Sequence, residues 1–370
     1  MAETLRVLQV LASLDRGGAE ATVMDWLRRI DRDRIIFDFV VNESDRPFAF
    51  ESEALALGSR VIRSPRFKLW NILPYGVWWY RCLMQHPEWG IVHGHHTSPA
   101  FVYFAIARVL RRVTIAHSHT AGRDQSLAGR LRVVLRWPLR HLASNHLTCS
   151  ELAGYWMFGH STLARLIPNG IETTRFGYDA TTRQQIRRQL GLTDALVVGH
   201  VGSFSSPKNH SRLLRIFSTV LKTEHRARLL LVGDGALRAK IEKDIHLLGL
   251  EGTVSLVGVR EDVPELLSAM DVLLFPSHYE GFPVTVVEAQ ASGLPCVVSD
   301  AVTPEIGLTD LVTFVSLTER DEVWAVKVLQ LASQTHRESR VKELREAGYD
   351  AAQVAKELQE FYLELAQPSR

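Results

Sequence analysis

The most informative stretch of this chain runs from His278 to Pro295 and reads His-Tyr-Glu-Gly-Phe-Pro-Val-Thr-Val-Val-Glu-Ala-Gln-Ala-Ser-Gly-Leu-Pro. The β-forming run Val272–Phe275 precedes it. Pro283 suits the first position of a helix, where no backbone N–H is needed. Gly293 and Pro295 predict the end of that helix, because glycine readily takes the left-handed conformation and proline cannot continue a helix. The stretch therefore predicts a strand, a loop and a helix in succession.

Two glutamates of this stretch lie where a ligand could reach them. We expect Glu280 on the loop outside the carboxyl end of the strand and Glu288 in the first turns of the helix. In open α/β sheets ligands bind at that edge, and the first amides of a helix favour anions such as phosphate. The spacing alone fits two solvated glutamates equally well, so the rest of the chain has to decide.

Length and composition favour two globular domains. The chain has 370 residues, more than a single core usually holds, with 46% hydrophobic and 23% charged residues. Its three cysteines are widely scattered, which predicts neither a disulfide framework nor a metal cluster and suits a reducing cytoplasm. The first residues lead directly into a strand-like run rather than a signal peptide, and no apolar run has membrane-spanning length.

Charge is distributed unevenly along the chain. Residues 1–170 carry 21 Lys+Arg against 14 Asp+Glu, whereas residues 171–370 carry 22 against 27. The basic excess concentrates in an Arg-rich segment containing Arg108, Arg111, Arg112, Arg123, Arg130, Arg132, Arg136 and Arg140. A solvated helical face explains this segment as well as a surface for anionic lipid head groups or an anionic acceptor does. No nucleic-acid recognition motif accompanies the charge, so we expect no nucleic-acid partner.

Strand-like runs alternate with helical stretches in both halves, which predicts parallel, doubly wound sheets. In the first half they fall at residues 5–11, 37–41, 60–62, 90–93, 113–117 and 146–149. In the second half they fall at 196–201, 228–232, 253–257, 271–275, 296–298 and 312–315. The turn-forming Pro168-Asn169-Gly170 marks the boundary between the halves. We therefore predict Rossmann-like domains at 1–170 and 171–350 facing across a cleft, with a helix at about 351–370 that packs back on the first domain.

Several strand ends of the first half carry residues suited to binding. Gly17 and Gly18 follow the first strand without forming a dinucleotide fingerprint. Two histidine clusters follow later strands, His93-Gly-His95-His96 and His117-Ser-His119. Structural imidazoles are the favoured interpretation of the first cluster, and a metal site is not expected because no cysteine or carboxylate shows ligand spacing.

An aromatic stretch lies between two of these strands and contains Trp70, Tyr75, Trp78, Trp79 and Tyr80. Packing in the core and at its rim is the simpler interpretation. Amphipathic rings beside a basic surface also suit a bilayer interface. Pro74 and Gly76 weaken the prediction of a helix here.

Strand ends of the second half form a candidate phosphate cradle. Gly202-Ser203 leaves the first strand, and Lys208 stands just before the next helix. A glycine allows close approach, and an ammonium neutralises an anion as a point charge. Gly233-Asp-Gly235 and Gly258-Val-Arg260 leave the next two strands. Together with Glu280, this series of polar, glycine-containing exits favours a nucleotide-diphosphate site.

These residues resemble the signature of the family-4 retaining glycosyltransferases of GT-B fold, in particular the branch that builds capsules and exopolysaccharides. The most specific match is the stretch quoted first, Pro-Ser-x-x-Glu-Gly-Phe-Pro followed by Glu288 and Gly293-Leu-Pro295. The Gly-Gly-Ala-Glu, Pro-Asn-Gly-Ile, Lys-Asn-His and Gly-Asp-Gly motifs match in the same order along nearly the whole chain.

The resemblance implies a role for each site residue. Residues 1–170 would form the acceptor domain and 171–350 the donor domain. Lys208 and the backbone amides of Gly281 and Phe282 would bind the donor diphosphate, and Gly202 would admit it. Glu288 would bind the ribose and Glu280 the donor sugar. Gly18 would let the first loop approach the diphosphate or acceptor, and His119, with His117 as the alternative, would be the histidine of the cleft. The nucleobase would lie near Val259–Asp262, recognised mainly by the backbone.

One position departs from the family pattern. Ser203 stands where the family usually has arginine, and Arg260 is a candidate substitute. Losing a guanidinium–phosphate bond costs about 1.5–3 kcal/mol, the range for hydrogen bonds to charged groups. The resemblance implies transfer from a nucleotide-diphosphate sugar, with UDP as the expected nucleotide and no metal or other cofactor. The acceptor would be a saccharide or lipid-linked hydroxyl in surface polysaccharide synthesis, with possible contact to the inner face of the membrane.

Three rival functions remain open. A sugar-nucleotide epimerase on the same fold would need no acceptor. A phosphorylase-like enzyme would require a pyridoxal cofactor and phosphate. A non-catalytic sugar-nucleotide-binding protein would be consistent with Ser203.

Overall fold

The computed structural model describes residues 4–15, 17–95, 99–119, 137–159, 164–333 and 336–367. The chain divides into two compact units. The first comprises the residues up to Gly170 together with those from Ala351 onward, and the second comprises Ile171–Asp350. The predictions for His96 and for Arg123, Arg130, Arg132 and Arg136 of the Arg-rich segment lie outside the described residues.

The first unit is built on a seven-stranded parallel sheet. Its strands are β1 (Leu5–Val10), β2 (Ile35–Asn42), β3 (Val61–Ser64), β4 (Ile91–Gly94), β5 (Val113–Ser118), β6 (Asn145–Thr148) and β7 (Arg165–Leu166). They lie in the order β3-β2-β1-β4-β5-β6-β7. The described helices are α1 (Gly18–Arg29), α2 (Glu51–Ala56), α3 (Ile72–Gln85), α4 (Ala100–Val109), α5 (Leu139–Leu142), α6 (Glu151–Phe158) and the C-terminal α14 (Ala351–Ala366).

The helix α14 belongs to the first unit because of its apolar stripe. Val354, Ala355, Leu358, Phe361 and Tyr362 recur at helical spacing and join the core cluster that contains α1 and β1. A second core cluster covers the other face of the same sheet and includes Trp79 and Trp89. Both faces of the central strands are thus buried, which explains their nearly continuous apolar sequences.

The second unit is built on a six-stranded parallel sheet in the order β10-β9-β8-β11-β12-β13. The strands are β8 (Leu196–Val201), β9 (Ala227–Val232), β10 (Val254–Gly258), β11 (Val272–Phe275), β12 (Cys296–Ser299) and β13 (Val312–Val315). Its helices are α7 (Ala180–Gln189), α8 (His210–Thr223), α9 (Arg238–Leu247), α10 (Val263–Ala269), α11 (Val284–Ala291), α12 (Asp321–Ala332) and α13 (Val341–Glu346). Short 3₁₀ turns occupy Leu69–Asn71, Ser206–Lys208 and Pro304–Ile306.

The strand orders locate where each sheet can bind a ligand. Sequence order reverses between β1 and β4 in the first unit and between β8 and β11 in the second. A crevice opens outside the carboxyl ends of parallel strands at such a switch point. The loop after β1 carries Gly18, and the loops after β8 and β11 carry Lys208 and Glu280.

The element predictions hold with two local differences. The edge strand β7 was not predicted, since two residues carry too little pattern. Pro283 precedes α11 as its N-cap, with φ −75° and ψ 97°, so the helix begins one residue later than expected. The helix α3 forms despite Pro74, which lies in its first turn, where its missing N–H is tolerated.

Within the described residues, no helix is both long enough and apolar enough to cross a membrane.

Candidate functional site

Lys208 and Glu280 meet at the switch point of the second unit. The Lys208 Nζ lies 2.8 Å from the Glu280 Oε1, with side chains only 14% and 16% exposed. The ammonium also lies 4.6 Å from the centre of the Phe275 ring, at the end of β11. The structure therefore joins two residues that the sequence placed on separate loops, as an ion pair largely shielded from water.

The two loops are tied together by their backbones. The His278 amide donates to the Pro207 carbonyl at 2.8 Å. The Asn209 side chain donates to the Pro276 carbonyl at 3.0 Å. Asn209 itself is left-handed, with φ 56° and ψ 46°, a conformation that asparagine tolerates better than most residues. These bonds fix the place at which Lys208 leaves the chain.

Glycines let the neighbouring loops pack closely beside Lys208. A Cβ on Gly202 would lie 3.1 Å from the Lys208 Cε, so the lysine stem covers this glycine. Gly233 has φ 133°, and a Cβ there would lie 2.1 Å from the Gly202 carbonyl oxygen. The Phe204 amide donates to the Asp234 carbonyl at 2.9 Å. Gly233, directly after β9, thus allows close packing against the loop after β8, whether or not a ligand binds beside it.

The turn before α11 offers amides to an anion. Within the described part of the chain, the amides of Gly281 and Phe282 donate to no other group. The Phe282 ring is buried and stacks on Tyr349, with ring centres 5.4 Å apart. The helix α11 follows directly, and its first amides carry the positive end of the helix dipole. These amides can bind a phosphate without rearranging.

Glu288 lies on α11, half-buried. Burial raises the pKa of Glu288 to about 7, and the positive charge of Arg175 acts in the opposite direction. Arg175 is exposed and donates to the Glu261 carbonyl at 2.9 Å. The sequence analysis missed Arg175, whose one signal is its position just after the domain boundary. Glu288 is therefore poised to change charge near neutral pH.

Ser203 and Arg260, the two positions considered for a phosphate contact, both bond to neighbouring side chains of the chain. Ser203 is exposed, and its hydroxyl lies 3.0 Å from that of Ser205. The Arg260 guanidinium donates to both carboxylate oxygens of Asp262, at 2.7 and 2.5 Å. The pair is solvent-exposed, and such pairs contribute little to stability, so a phosphate could displace Asp262 at little cost.

His119 and His117 differ in exposure. His117 is fully buried, and burial lowers its pKa well below the usual value. His119 is half-buried, with its pKa lowered to about 4, mainly by burial, while the Asn169 side chain acts to raise it. Of the two candidates, only His119 reaches the surface of its unit. The prediction that His93 is structural agrees with its complete burial, whereas His95 is half-buried.

A metal ion would have one candidate location among the described residues. His93, His95 and His117 offer ring nitrogens that all lie within 4.8 Å of one another. Nitrogens of all three are hydrogen-bonded in this structure, either to other side chains or to one another. A metal would have to replace those bonds.

Gly18 begins α1, and no contact of the chain requires glycine there. A Cβ at this position would meet no atom within 4 Å. At Gly17, by contrast, a Cβ would lie 2.2 Å from a carboxylate oxygen of Glu20. The Glu20 carboxylate folds back to accept from the Ser13 hydroxyl at 3.2 Å. The space at Gly18 is therefore open for a ligand.

Comparison with known proteins places both halves of the chain in glycosyltransferase families. The family described as Glycosyltransferase Family 4 matches residues 16–175. The family described as Glycosyl transferases group 1 matches residues 182–350. A putative glycosyltransferase EpsF from Bacillus subtilis is 34% identical over 361 residues, which cover 94% of each protein. The UDP-Gal:alpha-D-GlcNAc-diphosphoundecaprenol alpha-1,3-galactosyltransferase of Escherichia coli is 25% identical over 59% of each.

Solved structures show the same fold. Anabaena HepE in complex with UDP and glucose superposes with a TM-score of 0.78 and 21% identity, over 97% of this chain and 100% of its own. Sucrose-phosphate synthase from Thermosynechococcus elongatus also gives 0.78, with 20% identity over 97% and 98%. On this evidence the chain belongs to the family-4, group 1 glycosyltransferases and has the GT-B fold, two Rossmann-like units with parallel sheets.

Proposed function

We propose that the protein is a retaining, metal-independent glycosyltransferase that moves a sugar from a UDP-sugar to a hydroxyl of a saccharide or lipid-linked acceptor in surface polysaccharide synthesis. In this proposal the second unit binds the donor and the first unit binds the acceptor. The observation that carries the proposal is the shielded Lys208–Glu280 pair beside the unused amides before α11.

The leaving group defines the chemical problem. Breaking the glycosyl–phosphate bond leaves negative charge on a nucleotide diphosphate, and positive groups fixed in advance stabilise it best. Lys208 supplies a full charge, and the amides of Gly281 and Phe282 supply dipoles at the same edge of the sheet. These groups can stabilise the departing charge on their own.

The two carboxylates have separate tasks. Glu280 would accept hydrogen bonds from hydroxyls of the donor sugar, and Glu288 would accept them from the ribose. A retaining glycosidase instead uses one carboxylate as nucleophile and another as acid and base, about 5–5.5 Å apart. Glu280 is unsuited to attack while Lys208 holds it. Retention then follows if the acceptor hydroxyl attacks from the face that the diphosphate leaves and gives its proton to a departing phosphate oxygen.

UDP is proposed as the nucleotide because of the relatives. HepE was crystallised with UDP and glucose, and the Escherichia coli relative transfers from UDP-Gal to a diphosphoundecaprenol-linked sugar. Neither fact fixes the donor of this chain. A thermal-shift screen of nucleoside diphosphates tests the choice, since a ligand at about 100 times its Kd stabilises by about 2.7 kcal/mol.

Variants of the ion pair test the mechanism. Lys208→Met should weaken UDP binding and abolish transfer, because the diphosphate loses the full positive charge of the Lys208 ammonium. Glu280→Gln should lower transfer by at least about tenfold, the loss of one charged hydrogen bond, while UDP binding stays equal or tightens as Lys208 is released. UDP binding should therefore weaken in Lys208→Met but not in Glu280→Gln, whereas global unfolding would weaken it in both variants.

Four results would refute the proposal. Wild-type transfer rates in Glu280→Gln would show that Glu280 makes no functional contact with the donor sugar. A product of inverted anomeric configuration, identified by NMR, would show that the reaction does not retain configuration. A new sugar-nucleotide isomer formed from the donor alone would indicate the epimerase instead. UDP binding without turnover across a panel of donors and acceptors would indicate a non-catalytic binding protein.

A membrane partner is proposed from the surface of α3. The 3₁₀ turn before α3 and the outer side of α3 together carry an apolar seam at heptad-like spacing, Trp70, Leu73, Val77, Tyr80 and Met84, of which the first two are 79% exposed. Residues 54–87 contain five Lys or Arg and no acid. The aromatic stretch is thus divided, with Tyr75 and Trp79 in the core and Trp70 and Tyr80 outside. Aromatic and basic groups together suit the interface of an anionic bilayer.

Vesicle sedimentation tests this surface. The wild type should bind vesicles containing phosphatidylglycerol and not those of phosphatidylcholine alone. Leu73→Ser with Tyr80→Ser should lose that binding and keep UDP affinity, because both side chains are exposed in the first unit. Equal binding by the variant would contradict the assignment.

A further inference from the structure

Six polar side chains form a hydrogen-bonded network at the switch point of the first unit. Gln9 comes from β1, His93 from β4 and His117 from β5. His95 and His119 follow β4 and β5, and Tyr362 comes from α14. The bonds described below all lie between side chains, so with the Gln9 amide oriented as in this structure the positions of the protons follow from donor and acceptor chemistry.

The first arm of the network runs from Tyr362 to His119. The Gln9 Nε2 donates to the Tyr362 hydroxyl at 3.0 Å, which leaves the Gln9 Oε1 facing the His95 Nε2 at 2.8 Å. An amide oxygen only accepts, so the His95 Nε2 carries a proton. In neutral His95 the Nδ1 then accepts from the His119 Nε2, 2.8 Å away. The arm ends at the His119 Nδ1 with a lone pair.

The second arm runs from Tyr362 to His117 with the opposite polarity. The Tyr362 oxygen already accepts from Gln9, so its own proton goes to the His93 Nδ1 at 2.5 Å. The His93 Nε2 then donates to the His117 Nδ1 at 3.2 Å. The arm ends at the His117 Nε2 with a proton. Burial keeps His93 and His117 neutral, since it lowers the pKa of both well below the usual value.

The two ends of the network are chemically complementary. Within the described residues, the His119 Nδ1 and the His117 Nε2 are both shielded from water without a hydrogen bond of good geometry, and the nearby Asn169 side chain, which acts to raise the pKa of His119, has an Oδ1 in the same condition. The two rings stack, with centres 4.1 Å apart. One end accepts and the other donates, and a hydroxyl is the simplest group that does both.

We propose that Gln9, held by Tyr362, is a positioning residue that fixes His119 as the Nε2–H tautomer so that its Nδ1 accepts a hydrogen bond from a saccharide hydroxyl. The substrate part of this inference rests on the proposed function. Neither Gln9 nor Tyr362 is expected to touch the substrate. Removing Gln9 releases His95, and His119 is then free to exchange its proton between the two nitrogens.

Tautomers can be read directly in the full-length protein without substrate. Two-bond ¹H–¹⁵N correlation spectra of the ¹⁵N-histidine protein at pH 7 distinguish the protonated nitrogen of each ring, and His119→Gln assigns its signal among the 15 histidines. We expect His119 as a single Nε2–H tautomer in the wild type. In Gln9→Met its signals should move to a mixture of tautomers. In Gln9→Glu they should stay, because a carboxylate still accepts from the His95 Nε2.

Tyr362→Phe is the matched control within the network. It leaves the Gln9 oxygen in place for His95, so His119 should keep its tautomer while His117 loses its fixed polarity. Unchanged signals of His86 and His146, which lie in the first unit outside the network, show in every variant that this unit remains folded. An Nδ1–H tautomer of His119 in the wild type, or an unchanged one in folded Gln9→Met, would overturn the proposal.

Transfer rates connect the tautomer to the reaction. The kcat/KM should fall in Gln9→Met in proportion to the fraction of His119 in the wrong tautomer, and Gln9→Glu should restore it. Spectra as expected with unaltered transfer in His119→Gln would overturn the substrate contact. A protein without any transferase activity but with the expected spectra would refute the proposed function and leave the tautomer assignment standing.

Discussion

Replacing Glu288 with glutamine separates two effects of its carboxyl group, on stability and on donor binding. Burial raises the pKa of Glu288 from 4.5 to about 7. The folded protein therefore favours the protonated form, and the wild type loses stability as pH rises from about 4.5 to about 7. This sign is opposite to that of a salt-bridged carboxylate, whose stabilising contribution is lost as pH falls. Glutamine has no charge to bury at any pH.

The size of the stability change follows from the pKa shift of Glu288. About 2.5 pKa units correspond to about 3.4 kcal/mol at 1.36 kcal/mol per unit. Glu288 is only half-buried, so we expect roughly 1.5–3 kcal/mol after water has screened part of the charge. For a unit of this size, 1 kcal/mol moves the melting temperature by about 2–4 °C. Glu288→Gln should therefore melt roughly 3–12 °C above the wild type at pH 8, with a much smaller gain at pH 5.

The pH dependence of donor binding should be opposite to that of stability, so that binding strengthens as pH rises. If the ribose hydroxyls need the ionised carboxylate, wild-type affinity for a UDP-sugar falls about tenfold from pH 8 to pH 6, as the ionised fraction of a group with pKa about 7 falls. Glu288→Gln should bind weakly at both pH values. Differential scanning fluorimetry and calorimetric titration give the two profiles. Equal melting temperatures at pH 8, or flat wild-type affinity, would refute the reasoning.

Three further substitutions test individual positions. Ser203→Arg should tighten UDP binding by about tenfold or more, the worth of one charged hydrogen bond, and unchanged affinity would show that position 203 does not reach phosphate. Gly293→Ala should lower the melting temperature of the second unit far more than Gly249→Ala: the two glycines have φ 65° and 63°, but only at Gly293 does a Cβ meet a backbone oxygen, that of Glu338 at 1.9 Å. Gly18→Ala should melt like the wild type and lose transfer, because its added methyl group meets only a ligand.

Local pattern was sufficient to predict most of the fold. Each predicted strand run contains or overlaps a strand of the structure, because parallel strands buried on both faces leave unmistakable apolar runs. The strand β7 escaped prediction because it has two residues at a sheet edge. The helix α3 was doubtful only because of Pro74 and Gly76, and the proline proved to lie within its first turn.

Contacts between distant residues were beyond the reach of the sequence. The topology rule placed Lys208 and Glu280 on one edge of a sheet, yet their direct pairing depends on how the His278 amide ties two loops together. Arg260 was a candidate phosphate ligand, and the sequence did not indicate that its guanidinium bonds to Asp262 in this structure. The histidine network is a stronger example, since His93 and Tyr362 are 269 residues apart and no local pattern joins them.

The proposed donor site presents a charge problem that the structure clarifies. Two carboxylates and a single lysine are an unfavourable set for an anionic diphosphate, and Ser203 removes a positive charge that the family usually has. In the structure neither carboxylate carries its full charge into the site, because Lys208 neutralises Glu280 and burial keeps Glu288 partly protonated. In the proposed reaction the diphosphate would take the ammonium and the sugar hydroxyls would take Glu280. Donor binding would then replace the Lys208–Glu280 ion pair with a Lys208–diphosphate ion pair and hydrogen bonds from the sugar to Glu280. A free nucleotide without the sugar would leave the charge of Glu280 without a partner, so it should bind more weakly than the complete donor.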